Sequence, residues 1–79
     1  AAMENVVNLR TMSVGDSGRI AAVEVAGEMG RRIRDMGLIP GTQVKVVGRA
    51  PLHDPVALRL SGVTITLRNN EADYIRIVR

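Results

Sequence analysis

The stretch RAPLHDPVALRL, residues 49–60, holds the chain's one histidine, His53, beside Asp54 and between Pro51 and Pro55. An imidazole next to a carboxylate could ligate a transition metal or move a proton. The surroundings favour a plainer role. Each proline fixes its own φ, and Asp54, which precedes a proline, is driven to extended backbone. Asp54 can also accept a hydrogen bond from a nearby backbone N–H, so the segment reads as an exposed loop leading into a strand. Structural zinc takes four ligands at close spacing, and the chain has no cysteine, so His53 and Asp54 supply two at most. That is enough for a weak transition-metal site completed by another chain, and it implies no required cofactor. A serine triad would need the same His53, and Ser13, Ser17 and Ser61 all stand in turn-like contexts rather than in a Gly-x-Ser-x-Gly elbow. The glycines fit neither phosphate-binding fingerprint. The chain therefore reads as a protein without enzymatic activity.

Arg31, Arg32 and Arg34, flanked by Glu28 and Asp35, form the one cluster of charge. The formal net charge is +3, but the other basic residues are scattered among acids, and Lys45 is the only lysine. Such a cluster would steer an encounter with an acidic partner or an anionic membrane leaflet. Nucleic acid is not expected as a partner, because Tyr74 is the sole aromatic residue and cannot build a stacking platform. A Pro-rich peptide groove lacks its aromatic lining for the same reason.

The elements that must position these residues are mostly strands. VALRLS and VTITLR alternate apolar and polar residues with period two, and Ser61-Gly62 between them suits a two-residue turn, so residues 56–68 read as an antiparallel hairpin with one apolar face. VKVVGRA, GRIAAVEV and the C-terminal IRIV are further strands, with a bulge or bend expected at Gly48 and a type II turn at Pro40-Gly41. Met29, Ile33 and Met36 recur at helical spacing with the three arginines on the opposite face, and Gly37 stands where a helix C-cap glycine would. Gly30 weakens the first turn of that helix. NNEAD makes one helical turn, with Asn69 or Asn70 as its cap. About five short strands, one short helix and a one-turn helix near the C-terminus suggest a mostly β, small SH3-like barrel, which is a compact way to close sheet edges at this size.

With 79 residues, 46% hydrophobic and 24% charged, the chain makes one small domain whose core must offset roughly 1.5 kcal/mol of conformational entropy per ordered residue. Residues 1–8 are expected to be disordered, with Ala1 and Ala2 ahead of Met3 reading as vector-derived; residues 9–79 form the domain. The absence of a signal-peptide pattern, of a long apolar run and of cysteine points to a cytoplasmic protein.

Several runs resemble the FeoA family of bacterial ferrous-iron uptake systems. They are Leu9, Gly15 and Gly18 to Ile20, then Arg34 with DMGLIPG, then APL-x-DP about ten residues later, then Leu67-Arg68 and Glu71-Ala72. Where the family has APLGDP this chain has His53, so the resemblance does not carry a family-wide metal ligand to that position. It implies an SH3-like barrel and a cytosolic accessory protein that docks on the FeoB transporter, a membrane protein with a cytosolic G domain, and modulates its activity or assembly. The alternative it carries is a metal-responsive module related to the C-terminal domain of iron-dependent repressors, sensing Fe2+ or another transition metal weakly through His53, Asp54 and a carboxylate from another chain. The residues proposed to meet the partner are Arg31, Arg32, Arg34, Leu38, Ile39, Pro40, Pro51, Leu52 and Asp54. A barrel this small with exposed strand edges could also form a homo-oligomer.

Overall fold

The structure, a computed structural model, describes residues 5–49 and 55–79. In chain order the elements are β1 (Val6–Asn8), a 3-10 turn (Leu9–Thr11), β2 (Ser17–Val23), α1 (Gly27–Asp35), β3 (Gln43–Arg49), β4 (Val56–Leu60), β5 (Val63–Leu67), α2 (Asn69–Ala72) and β6 (Ile75–Val78). All strand pairs are antiparallel, and the sheet order is β1-β6-β2-β3-β4-β5. The sheet curls over its apolar face in a barrel-like form whose two ends do not join.

β2 makes the curl, because it belongs to both halves of the sheet. Its first residues pair with β3, from Ser17 opposite Lys45 to Arg19 opposite Gln43. From Arg19 onward it pairs with β6, and the register slips at Ala21. A second slip, at Val47 between Val46 and Gly48, bends β3 against β4, where the sequence expects a bulge. Each extra residue adds local twist and lets short strands wrap one core. Gly18 sits where β2 passes tightly against β6: a Cβ there would lie 2.5 Å from both the Ile77 Cγ2 and the Val78 carbonyl oxygen.

The period-two patterns bury the expected residues. Val44 and Val46 of β3, Val56, Leu58 and Leu60 of β4, and Ile75 and Ile77 of β6 share one core with Leu9, Met12, Ile20, Ile33, Leu38, Leu67 and Ala72. Ser61 and Gly62 have φ of 50° and 78°, as a type I′ turn requires, and they set the β4–β5 register from Leu60 opposite Val63 to Val56 opposite Leu67. The apolar face of β5 is buried only at its far end: Leu67 is in the core, Ile65 half-buried and Val63 57% exposed.

Two expectations need correction. Residues 1–8 are not disordered throughout, because Val6–Asn8 add a sixth strand on β6, with Val7 opposite Ile77. β6 would otherwise be an open edge, and further bonds fasten the added strand: Asn8 Nδ2 donates to the Asp73 carbonyl at 2.8 Å and the Arg79 N–H to the Asn5 carbonyl at 3.0 Å. The cap of α2 is Arg68 rather than Asn69 or Asn70, since the Glu71 carboxylate reaches back to accept the Arg68 N–H at 3.1 Å.

Gly18→Ala should therefore destabilise the fold by about 1–3 kcal/mol, the usual range for overpacking. Gly48→Ala, whose Cβ would meet only the Ala57 Cβ at 3.6 Å among the described residues, should stay within about 1 kcal/mol of the parent. Denaturant midpoints of the two variants measure the difference.

Candidate functional site

Helix α1 carries the charge cluster and has one face in the core. Gly30 and Ile33 are buried, Met29 and Met36 pack against the core from its margin, and Arg31, Arg32 and Arg34 face solvent. Gly30 is more than a weak point in the first turn, because a Cβ there would strike the carbonyl oxygen of Val25. The glycine lets the helix lie directly against the chain that leads into it.

The helix ends in a Schellman motif. Gly37, at φ +95°, donates to the Arg34 carbonyl at 2.9 Å, and Leu38 donates to the Ile33 carbonyl at 3.3 Å. The hydrophobic contact that completes such a motif puts Leu38 in the core beside Ile33, both at 0% exposure. Leu38 is thus removed from the expected partner surface. The next residue is turned outward: Ile39 is 47% exposed, and Pro40 is exposed beside it.

The turn of Ile39 to Thr42 is closed by the Thr42 N–H on the Ile39 carbonyl at 3.1 Å, with Gly41 at φ +94° as a type II turn demands. It is also fixed to β2. Gly41 donates to the Ile20 carbonyl at 2.8 Å, Ile20 donates back to the Thr42 carbonyl at 2.9 Å, and the Thr42 hydroxyl holds the Gly37 carbonyl at 3.1 Å. The surface running from α1 into this turn consists of three exposed guanidinium groups followed by a fixed apolar knuckle.

Two hollows flank the arginines. An open trough along α1 is lined by Glu28, Met29, Arg31, Arg32, Asp35 and Met36. A smaller cleft of 190 Å³ lies between Arg32, Pro55, Thr66, Leu67, Arg68 and Glu71. Arg32 borders both. Its guanidinium stands 3.8 Å from the Glu71 carboxylate, but the Arg32 side chain is 74% exposed while Glu71 is 8% exposed. At that exposure the pair contributes little stability.

Arg49, the first residue of the stretch that holds His53, has a structural role the sequence did not reveal. Its guanidinium donates from Nε to the Met12 carbonyl at 3.0 Å, and from Nη2 to the carbonyls of Arg10 at 2.9 Å and Met12 at 2.6 Å. These carbonyls belong to the 3-10 turn and its end, which Arg49 ties to β3. No spacing or periodicity pairs Arg49 with residues so distant in sequence. Pro51, Leu52, His53 and Asp54 lie outside the described residues. Among the described residues no three His, Cys, Asp or Glu side chains come together as a metal site, and no helix is long and apolar enough to cross a membrane.

Comparison with known proteins agrees with this geometry. The FeoA domain family model matches residues 7–79. The Fe(2+) transport protein A/Fe(2+) transporter FeoB fusion protein of Porphyromonas gingivalis is 35% identical over 71 residues; the match covers 90% of this chain and 8% of the fusion protein's length. The solution structure of iron(II) transport protein A from Clostridium thermocellum is 37% identical, with a TM-score of 0.85, covering 91% of this chain and 45% of that one. The Stenotrophomonas maltophilia FeoA, described as a prokaryotic SH3 domain protein complexed with zinc, is similar in fold, with a TM-score of 0.75 at 23% identity over 99% of this chain and 91% of that one. The fold is thus SH3-like.

The turn separates a core position from a surface position at adjacent residues. Leu38→Ala should lower the unfolding free energy by about 2–5 kcal/mol. Ile39→Ala should change it by no more than about 0.5 kcal/mol, both read from urea denaturation curves.

Proposed function

The chain belongs to the FeoA family, and on that basis we propose that it is a cytoplasmic accessory protein of bacterial ferrous-iron uptake. It docks on the cytosolic region of the FeoB transporter and modulates its activity or assembly. The observation that carries this reading is the Porphyromonas gingivalis relative, in which a segment matching 90% of this chain shares one polypeptide with a transporter named FeoB. A covalent link raises the effective concentration of two parts that work together. Where the two are separate chains, an interface must supply the association.

The surface from α1 into the following turn suits that interface. Exposed Arg31, Arg32 and Arg34 accelerate the approach of an acidic surface, and their planar guanidinium groups can pair bidentately with carboxylates. Ile39 and Pro40 offer an apolar contact at a fixed position, which slows departure. Charge and apolar contact thereby act on different rate constants.

Binding of this chain to the cytosolic region of the FeoB from the same organism, followed by surface plasmon resonance, tests the proposal. The parent should bind, and association should slow as salt rises. Reversing the three arginines to Glu should lower the association rate by about tenfold or more, whereas Ile39→Asp should act mainly on dissociation. Absence of binding at tens of micromolar, with folded protein, overturns the docking claim.

A further inference from the structure

β5 forms one end of the sheet, and among the described residues no strand lies on its outer side. Its sequence, VTITL, has none of the usual devices that protect such an edge: no charge, no proline and no bulge in its pairing with β4. The opposite end is β1, which is only three residues long. Val63, 57% exposed, and half-buried Ile65 leave part of the apolar face of β5 uncovered.

The hairpin register determines which backbone groups β5 presents. A two-residue turn closes on a hydrogen-bonded pair, here Leu60 with Val63, and antiparallel pairs then alternate between hydrogen-bonded and non-hydrogen-bonded. Val63, Ile65 and Leu67 therefore direct their N–H and C=O groups toward β4. Thr64 and Thr66 direct theirs to the open side.

That pattern is self-complementary. In an antiparallel alignment of β5 with a second β5 about a two-fold axis at Ile65, Thr64 of each copy faces Thr66 of the other. These are the residues with outward N–H and C=O groups, so each such pair exchanges both of its hydrogen bonds. Ile65 faces Ile65 and Val63 faces Leu67 at non-hydrogen-bonded positions, where side chains approach most closely. The apolar face thus meets an apolar face and threonine meets threonine. Arg68, just beyond the strand, faces Gly62, so no like charges are placed directly opposite each other.

We propose that the β5 edge is a homodimerisation site, at which two copies of this chain join their sheets by antiparallel pairing centred on Ile65. A pairing of equivalent edges closes on itself, so the assembly stops at two.

Sedimentation of the intact chain over a concentration series into the millimolar range tests this. The weight-average mass should rise from that of a monomer toward that of a dimer and level off there. Thr64 and Thr66 are exposed, so T64K/T66K should keep the amide spectrum of the folded monomer while placing Lys opposite Lys at both hydrogen-bonded pairs. Its dimer dissociation constant should rise about tenfold or more, and T64K/T66E, which places Lys opposite Glu, should restore dimerisation. The chain has no native cysteine, so I65C under mild oxidation should give a disulfide-linked dimer while T64C should not, because only residue 65 faces itself. A parent that stays monomeric throughout, a dimer unaffected by T64K/T66K, or growth beyond the dimer, as β1-to-β5 pairing would produce, overturns the proposal.

Discussion

The fold depends on how closely β2 passes β6 at Gly18. β2 is the one strand that pairs with members of both halves of the sheet, β3 and β4 with β5 on one side and β6 with β1 on the other. It does so over seven residues, by shifting from one neighbour to the other along its length. The missing side chain at Gly18 lets the Ile77 methyl and the Val78 backbone close over it. Ile20, Ile75 and Ile77 then face Val44, Val46 and Leu58 across one core made without any aromatic residue. Small branched side chains fill a tightly curved interior readily, but no single one spans it, so the core relies on many contacts of similar size.

The strands were legible because each carries its burial in its own alternation. The β4–β5 hairpin, the turn at Pro40-Gly41 and the bulge, which falls at Val47, one residue before the expected Gly48, are local in sequence, and local chemistry is enough to place them to within a residue. β1 was not legible. Val6–Asn8 have too few residues to show a period, and they are held by β6, which lies at the other end of the chain. The same holds for Arg49, whose carbonyl partners come from a turn nearly forty residues earlier. Pairing that depends on residues distant in sequence leaves no short-range pattern.

The candidate surface was legible in part. The three arginines follow from the helical period of Met29, Ile33 and Met36, and they are exposed as that period requires. Leu38 and Ile39 are both apolar and lie in a turn-rich run, so sequence alone groups them on one surface. The clue that separates them was already present in Gly37: a glycine in that position implies that the following residue folds back onto the helix, which buries Leu38 and turns Ile39 out.

The anchoring of that turn bears on the entropy of recognition. With Leu38 seated in the core and Gly41 and Thr42 bonded to Ile20, the backbone that displays Ile39 and Pro40 is already ordered by folding. Fixing a loop on contact would cost about 1–2 kcal/mol per residue, and here that cost falls on the folding equilibrium instead. Recognition at the proposed surface would therefore be coupled to the interior of the sheet: a substitution that loosens β2 around Ile20 would weaken the proposed partner's hold without touching any residue that partner meets.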